Sequence, residues 1–146
     1  MNTIRISKEF TFEMAHALEG HDGKCANIHG HSYVLTVTVT GQPISDPNSP
    51  KLGMVIDYVD LKKIVKEEIV DSHDHAVLLK DTHAIGIEEK YKLLKLIRTT
   101  YQPTCENMIA DFAQKIIKRL PSHVKLHSLR LRETATSYAE WFAEDN

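Results

Sequence analysis

Three histidines carry the first chemical information in this chain: His29 and His31 in the run Cys25-Ala-Asn-Ile-His29-Gly-His31-Ser-Tyr33, and His16 closing Phe10-Thr-Phe12-Glu-Met14-Ala-His16. If Tyr33 to Val39 is a strand, residues two apart share a face, so His29 and His31 point the same way and form a chelate. A third imidazole from a neighbouring strand would leave a tetrahedral metal one open position, the arrangement of catalytic rather than structural zinc. A lone His16 at a strand end is usually a packed or surface residue; the pair beside it is what makes it a candidate ligand.

Four further positions bear on chemistry. Cys25, next to Lys24 in a Gly/Asp/Asn-containing loop, fits a fourth metal ligand, a small buried hydrophobe, or a reactive thiol whose thiolate a nearby cation favours. Asp74-His75 fits either a solvated helix exit or a carboxylate that raises the basicity of a proton-shuttling imidazole. Glu133 shares a parity with Leu129 and Leu131; on an inward face it must be paired, protonated or ready for N–H donors, unless it reaches water at the strand end. Glu106, two residues after the cap candidate Thr104, has a structural reading in the helix dipole.

The elements that must position these residues follow from periodicity. Ile4 to His16 alternates as a strand, with Phe10, Phe12, Met14 and His16 on one parity. Residues 18 to 28 read as a loop returning the chain to His29, and the second strand places Tyr33, Leu35, Val37 and Val39 on the parity of the two histidines. Gly41 to Gly53, with three prolines, reads as an exposed connection. Asp57 then offers an N-cap to an amphipathic helix carrying Leu61, Ile64, Val65 and Ile69. It stops near Asp71-Ser-His73-Asp74-His75, and Ala76 to Leu79 is apolar again.

Residues 80 to 101 fit a helix lined by Ile87, Tyr91, Leu94 and Ile97, or an insertion. Thr104 caps a second clear helix with Met108, Ile109, Phe112, Ile116 and Leu120 as its buried stripe, ending before Pro121. Ser128 to Glu133 reads as a strand, one of one or two after residue 125. Strands flanking paired helices predict an α+β sheet with helices on one face, as a single domain over residues 1–146.

Composition narrows the class. The 146 residues are 42% hydrophobic and 26% charged, as in ordinary soluble domains. No apolar run approaches the roughly 20 residues that span a bilayer, and the opening residues lack a signal-type apolar core, so the expectation is a cytoplasmic protein. A formal net charge of -2 and the absence of basic runs disfavour nucleic acid. Two cysteines, Cys25 and Cys105, make a poor disulfide scaffold and are read as free thiols.

Taken together, His16, Cys25-x-x-x-His29-Gly-His31-x-Tyr33, Asp74-His75, Pro103-Thr104-x-Glu106-Asn107 and Glu133-Thr134-x-Thr136-Ser137 resemble the 6-pyruvoyl-tetrahydropterin synthase superfamily, in the correct order from residue 10 to about 142. Three residues between Cys25 and His29 look like the bacterial 6-carboxy-tetrahydropterin branch; the animal 6-pyruvoyl enzymes typically have five. The resemblance implies a T-fold (tunnelling fold), an antiparallel sheet with two main helices on one face. Its subunits assemble into a barrel, usually a homohexamer built as a dimer of trimers, with active sites at subunit interfaces.

Carried over by position, it implies Zn2+ on His16, His29 and His31, Cys25 as general base, and His75 moving protons with Asp74 orienting it. Glu133 would take the pterin's ring N–H and amino groups, with Thr104 and Glu106 helping to hold the ring. The implied reaction is lysis of 7,8-dihydroneopterin triphosphate to 6-carboxy-5,6,7,8-tetrahydropterin, acetaldehyde and triphosphate, a step of queuosine and 7-deazaguanine synthesis. The alternatives are triphosphate elimination to 6-pyruvoyl-tetrahydropterin and a non-catalytic pterin-binding metal protein. Relatives often carry Leu-Asn soon after the Asp-His pair, where this sequence has Ala76-Val-Leu78-Leu79.

Overall fold

The computed structural model describes residues 2–84 and 95–146. Their alternating segments form one six-stranded sheet in the order β4-β3-β1-β2-β5-β6. The strands are β1 Ile4–His16, β2 His29–Gly41, β3 Ala76–Lys80, β4 Leu96–Thr99, β5 Val124–Thr134 and β6 Ser137–Phe142. β1 pairs antiparallel with β2 from Ile4↔Gly41 to His16↔His29, and β2–β5 and β5–β6 are also antiparallel. Because the register places His16 opposite His29, the loop of residues 18 to 28 delivers two imidazoles to one end of the sheet.

The antiparallel strands expected from sequence therefore make the body of the sheet, and two short additions make it mixed. β3 joins β1 in parallel at Met14↔Ala76, Ala15↔Val77 and His16↔Leu78, and β4 joins β3 in parallel. A parallel pair needs a crossover, and the helical segment between β2 and β3 supplies it for β3. Sequence periodicity puts Ile97 in a helix; instead it lies in β4 and pairs with Leu78. Ile87, Tyr91 and Leu94 lie outside the described residues. The strand expected at Ser128 to Glu133 begins earlier, at Val124, because Val124 and Leu126 are buried before a register shift at Thr38/Val39 resets the alternation.

Helix α1 (Tyr58–Val65) starts at Asp57, whose carboxylate accepts the Val59 N–H at 2.9 Å. It continues through a π-helical turn, Lys66–Val70, into α2 (Asp71–His73). Helix α3 (Cys105–Ile117) starts at Thr104, whose hydroxyl accepts the Asn107 N–H at 3.3 Å. Leu61, Val65 and Ile69 from the first segment and Met108, Phe112 and Ile116 from α3 bury against Phe12, Tyr33, Leu35 and Leu131 on one sheet face. Phe12 ties the layers together, stacking on Tyr33 at 5.1 Å and meeting Phe112 edge-on at 6.3 Å. The opposite face is polar, with Ser7 bonded to Thr38 and Ser32 to Glu13. No helix among the described residues is long and apolar enough to cross a membrane.

Candidate metal and catalytic site

The apolar parity that builds the core ends in the histidines. Phe10, Phe12, Met14 and His16 follow one another along β1, and β2 begins its inward row with His29, His31 and Tyr33. One ring nitrogen of each of His16, His29 and His31 lies within 4.8 Å of those of the other two, and no other such metal-capable group exists among the described residues. His16 is buried at 2% exposure, while His29 and His31 are partly open.

Hydrogen bonding selects the ring nitrogens that converge. His16 Nδ1 lies 2.8 Å from the Pro103 carbonyl and His29 Nδ1 lies 2.7 Å from the Asn27 carbonyl. A carbonyl only accepts, so both Nδ1 atoms carry the proton and both Nε2 atoms keep a lone pair. Those two Nε2 atoms are 3.1 Å apart. The Nε2 of His31 is buried with no hydrogen-bond partner. Three acceptor lone pairs aimed at one point repel unless a cation sits among them, and backbone carbonyls fixing the far nitrogens are what metal-ligating histidines have. The donor set fits a metal that accepts imidazole nitrogen.

Glu133 comes to the same place. Its Oε1 is 3.2 Å from His16 Nε2, 3.3 Å from His31 Nε2, and accepts from the Tyr33 hydroxyl at 3.4 Å. The His16 imidazole beside it holds its carboxyl below the usual range, with His31 and Tyr33 reinforcing and burial opposing. Of the readings open in the sequence, Glu133 is thus half-buried, ionised and paired. Burial pushes the Tyr33 hydroxyl far up, so it stays a donor. Burial also holds His31 below the ordinary imidazole value; Glu133 opposes this, and His16 and His29 reinforce it.

Asp74 and His75 form a pair, with Oδ1 3.1 Å from Nδ1. His75 has φ +63°, a left-handed conformation that costs a residue with a Cβ, and neighbours hold it there. The His75 N–H donates to the Glu13 carbonyl at 2.6 Å, the Glu13 N–H donates to Asp74 Oδ1 at 2.9 Å, and the Lys95 ammonium donates to the carbonyls of Asp71 and Asp74. The Glu13 N–H, more than His75 itself, holds the Asp74 carboxyl below the usual range. His75 and His31 line one cleft of about 350 Å3, together with Glu13 and Ser32. The pair is therefore an ordered device beside the imidazole cluster.

The remaining candidates sit apart from the converging nitrogens. Cys25 is a free, partly exposed thiol in a 3-10 turn, Lys24–Ala26, and lies outside the metal-capable cluster. Cys105 is also free, but buried. Burial pushes its thiol up to about 12, and it donates to the Leu131 carbonyl. Thr104 is spent on its helix cap, and Glu106 is exposed in the first turn of α3. Sequence reasoning missed the carbonyls of Asn27 and Pro103, and Glu13 and Lys95 around the Asp-His pair. Backbone acceptors leave no side-chain signature, although Pro103 stands inside a motif.

Comparison with known proteins identifies the group to which this constellation belongs. A family model described as 6-pyruvoyl tetrahydropterin synthase matches residues 5–144. The chain belongs to that family. It is 41% identical over 140 residues to a 6-carboxy-5,6,7,8-tetrahydropterin synthase of Haemophilus influenzae, covering 94% of this chain and 98% of that one. A protein of the same name from Rickettsia typhi is 32% identical over 141 residues, covering 94% and 99%. Among solved structures, the 6-pyruvoyl tetrahydropterin synthase of Caenorhabditis elegans superposes with a TM-score of 0.69 at 25% identity, over 98% of this chain and 97% of that one. The Plasmodium falciparum protein of that name gives 0.72 at 19% identity, over 95% and 96%, a likeness of fold. The protein is thus a tetrahydropterin synthase of the T-fold type, with a three-histidine cluster able to hold a metal.

Proposed function

We propose that this member is a zinc-dependent lyase that converts 7,8-dihydroneopterin triphosphate and water to 6-carboxy-5,6,7,8-tetrahydropterin, acetaldehyde and triphosphate. The observation that carries the metal reading is the convergence of the His16 and His29 Nε2 lone pairs at 3.1 Å while both Nδ1 atoms are spent on carbonyls. The 6-carboxy product is supported by the names of the relatives at 41% and 32% identity and by the three-residue spacing from Cys25 to His29.

His16, His29 and His31 would hold Zn2+, which when bound supplies a Lewis acid that acidifies the C–H bond beside the substrate's metal-bound oxygens. Cys25, as thiolate, takes that proton, and His75 with Asp74 gives and takes protons on the other side. The left-handed turn at His75 serves this by aiming a ring that Asp74 grips at Nδ1, which leaves Nε2 free. Glu133 is ionised and so only accepts; it suits the ring N–H and amino donors of a pterin. Thr104 and Glu106, at the start of α3, help hold the ring. β6 is an edge strand among the described residues, and pairing it with another copy would close the sheets into a barrel, a homohexamer with sites between subunits. The product fits a cytoplasmic pathway to queuosine and related 7-deazaguanines.

Product analysis on the purified protein tests the reading. Incubation with dihydroneopterin triphosphate should release acetaldehyde and carboxypterin, whereas 6-pyruvoyl-tetrahydropterin without acetaldehyde would move the protein to the elimination branch. Cys25→Ala should retain zinc and lose at least ~100-fold in turnover, the scale of a lost general base. Loss of zinc in Cys25→Ala would instead make the thiol a ligand, and full zinc occupancy in His31→Ala would refute the three-histidine site.

A further inference from the structure

His16 is the one ligand supplied by β1, and the Pro103 carbonyl sets which of its nitrogens is free. That carbonyl belongs to neither a helix nor a strand; it lies between β4 and the start of α3. Proline has no N–H, so residue 103 cannot be tethered through its own backbone donor. The tether is next door. Gln102 Nε2 donates to the Glu19 carbonyl at 2.7 Å, and Gln102 Oε1 accepts the Glu19 N–H at 3.1 Å.

One side-chain amide thus takes both backbone hydrogen-bonding groups of a residue three beyond His16, as a strand partner would. The other face of Gln102 is held as well: its carbonyl accepts from Asn107 Nδ2 at 3.0 Å and from the Thr104 N–H at 2.7 Å. Thr82 Oγ1 donates to Glu19 Oε2 at 2.6 Å, steadying the residue that Gln102 grips. The segments at 16–19 and 102–104 are locked at fixed separation, and the His16–Pro103 bond lies inside the lock.

We propose that Gln102 is a positioning residue of the metal site, whose amide clamp on Glu19 holds the Pro103 carbonyl against His16 and so keeps that imidazole in the Nδ1–H form with Nε2 presented to the metal. The inference rests on the metal reading above. His29 takes its orientation from Asn27, outside the clamp, and is an internal control.

The test is imidazole 15N NMR on the full-length protein, freed of metal with a chelator at a pH where histidine is neutral, together with zinc affinity from competition with a chromogenic chelator. Wild type should show His16 and His29 both as Nδ1–H. Gln102→Met, which keeps the length and removes the amide, should give His16 a mixture of both tautomers, leave His29 unchanged and weaken zinc binding roughly 10- to 100-fold, the range for lost outer-shell partners. Gln102→Asn, one methylene short, should fall between.

An unchanged His16 tautomer in Gln102→Met, or equal disturbance of His16 and His29, would overturn the proposal, as would unaltered zinc affinity beside a shifted tautomer. If Gln102→Met does not fold, Gln102→Asn decides by the same signals. If wild type binds no zinc, the metal reading fails, and the tautomer measurement still decides whether the clamp exists.

Discussion

Acidification should destabilise this fold through a single buried imidazole, and replacing it should remove much of the effect. His73 is 3% exposed at the end of α2, with Nδ1 2.8 Å from the Ile69 carbonyl and its ring edge-on to Phe112 at 5.1 Å and Phe12 at 6.3 Å. Burial holds it below the ordinary imidazole value; the Ile69 carbonyl and Asp111 oppose this, and Lys115 and Lys95 add to it. In the unfolded state the ring takes a proton near its usual pKa of ~6.5. In the fold it stays neutral, so the unfolded state binds more protons as pH falls. Stability is therefore complete above that value and declines below it by up to about 1.4 kcal/mol per pH unit, until the folded ring protonates. From pH ~6.5 to ~5 the ceiling is about 2 kcal/mol.

Urea unfolding of wild type and His73→Leu across this range, at one protein concentration and with metal chelated, measures it. At pH ~8 the two should differ by no more than about 1 kcal/mol, since the lost hydrogen bond is partly offset by apolar burial. Below pH ~6.5 the wild-type curve should fall more steeply, by up to the slope given above. His31, also held low by burial, contributes equally to both proteins and cancels in the difference. Parallel curves would refute the reasoning.

Two further substitutions test packing and capping. Thr104→Ala should cost about 1 kcal/mol by freeing the Asn107 N–H, a fall of roughly 2–4 °C in Tm, and Thr104→Ser should restore most of it. Phe112→Ala should cost about 3–5 kcal/mol in equilibrium unfolding, because the fully buried ring touches both Phe12 and His73.

What can be read in the sequence is whatever a side-chain period or cap encodes. Ile4–His16 alternates without interruption at its inner end, so the strand and its terminal histidine are legible together, and Asp57 and Thr104 mark their helices. Ile97 misleads because an apolar residue in a short strand next to Leu96 also satisfies a helical spacing. The parallel placement of β3 is not legible, since four successive buried residues, Ala76 to Leu79, show no alternation to reveal a pairing partner. Glu133 is legible as an inward carboxylate, though not as a neighbour of His16, which depends on three strands lying side by side.

The same distinction separates the two layers of the candidate metal site. Ligands must be particular side chains, so they leave a pattern such as His29-Gly-His31. The groups that choose which ring nitrogen is free are carbonyls, present at every residue, so the Asn27 and Pro103 acceptors leave none. Only the side chains that fix those carbonyls can be seen in a sequence, and Gln102 does so across 83 residues. A relative that replaced Gln102 while keeping all three histidines would need another donor-acceptor pair on residue 19, because His16 is buried and one of its nitrogens must always face a carbonyl rather than water.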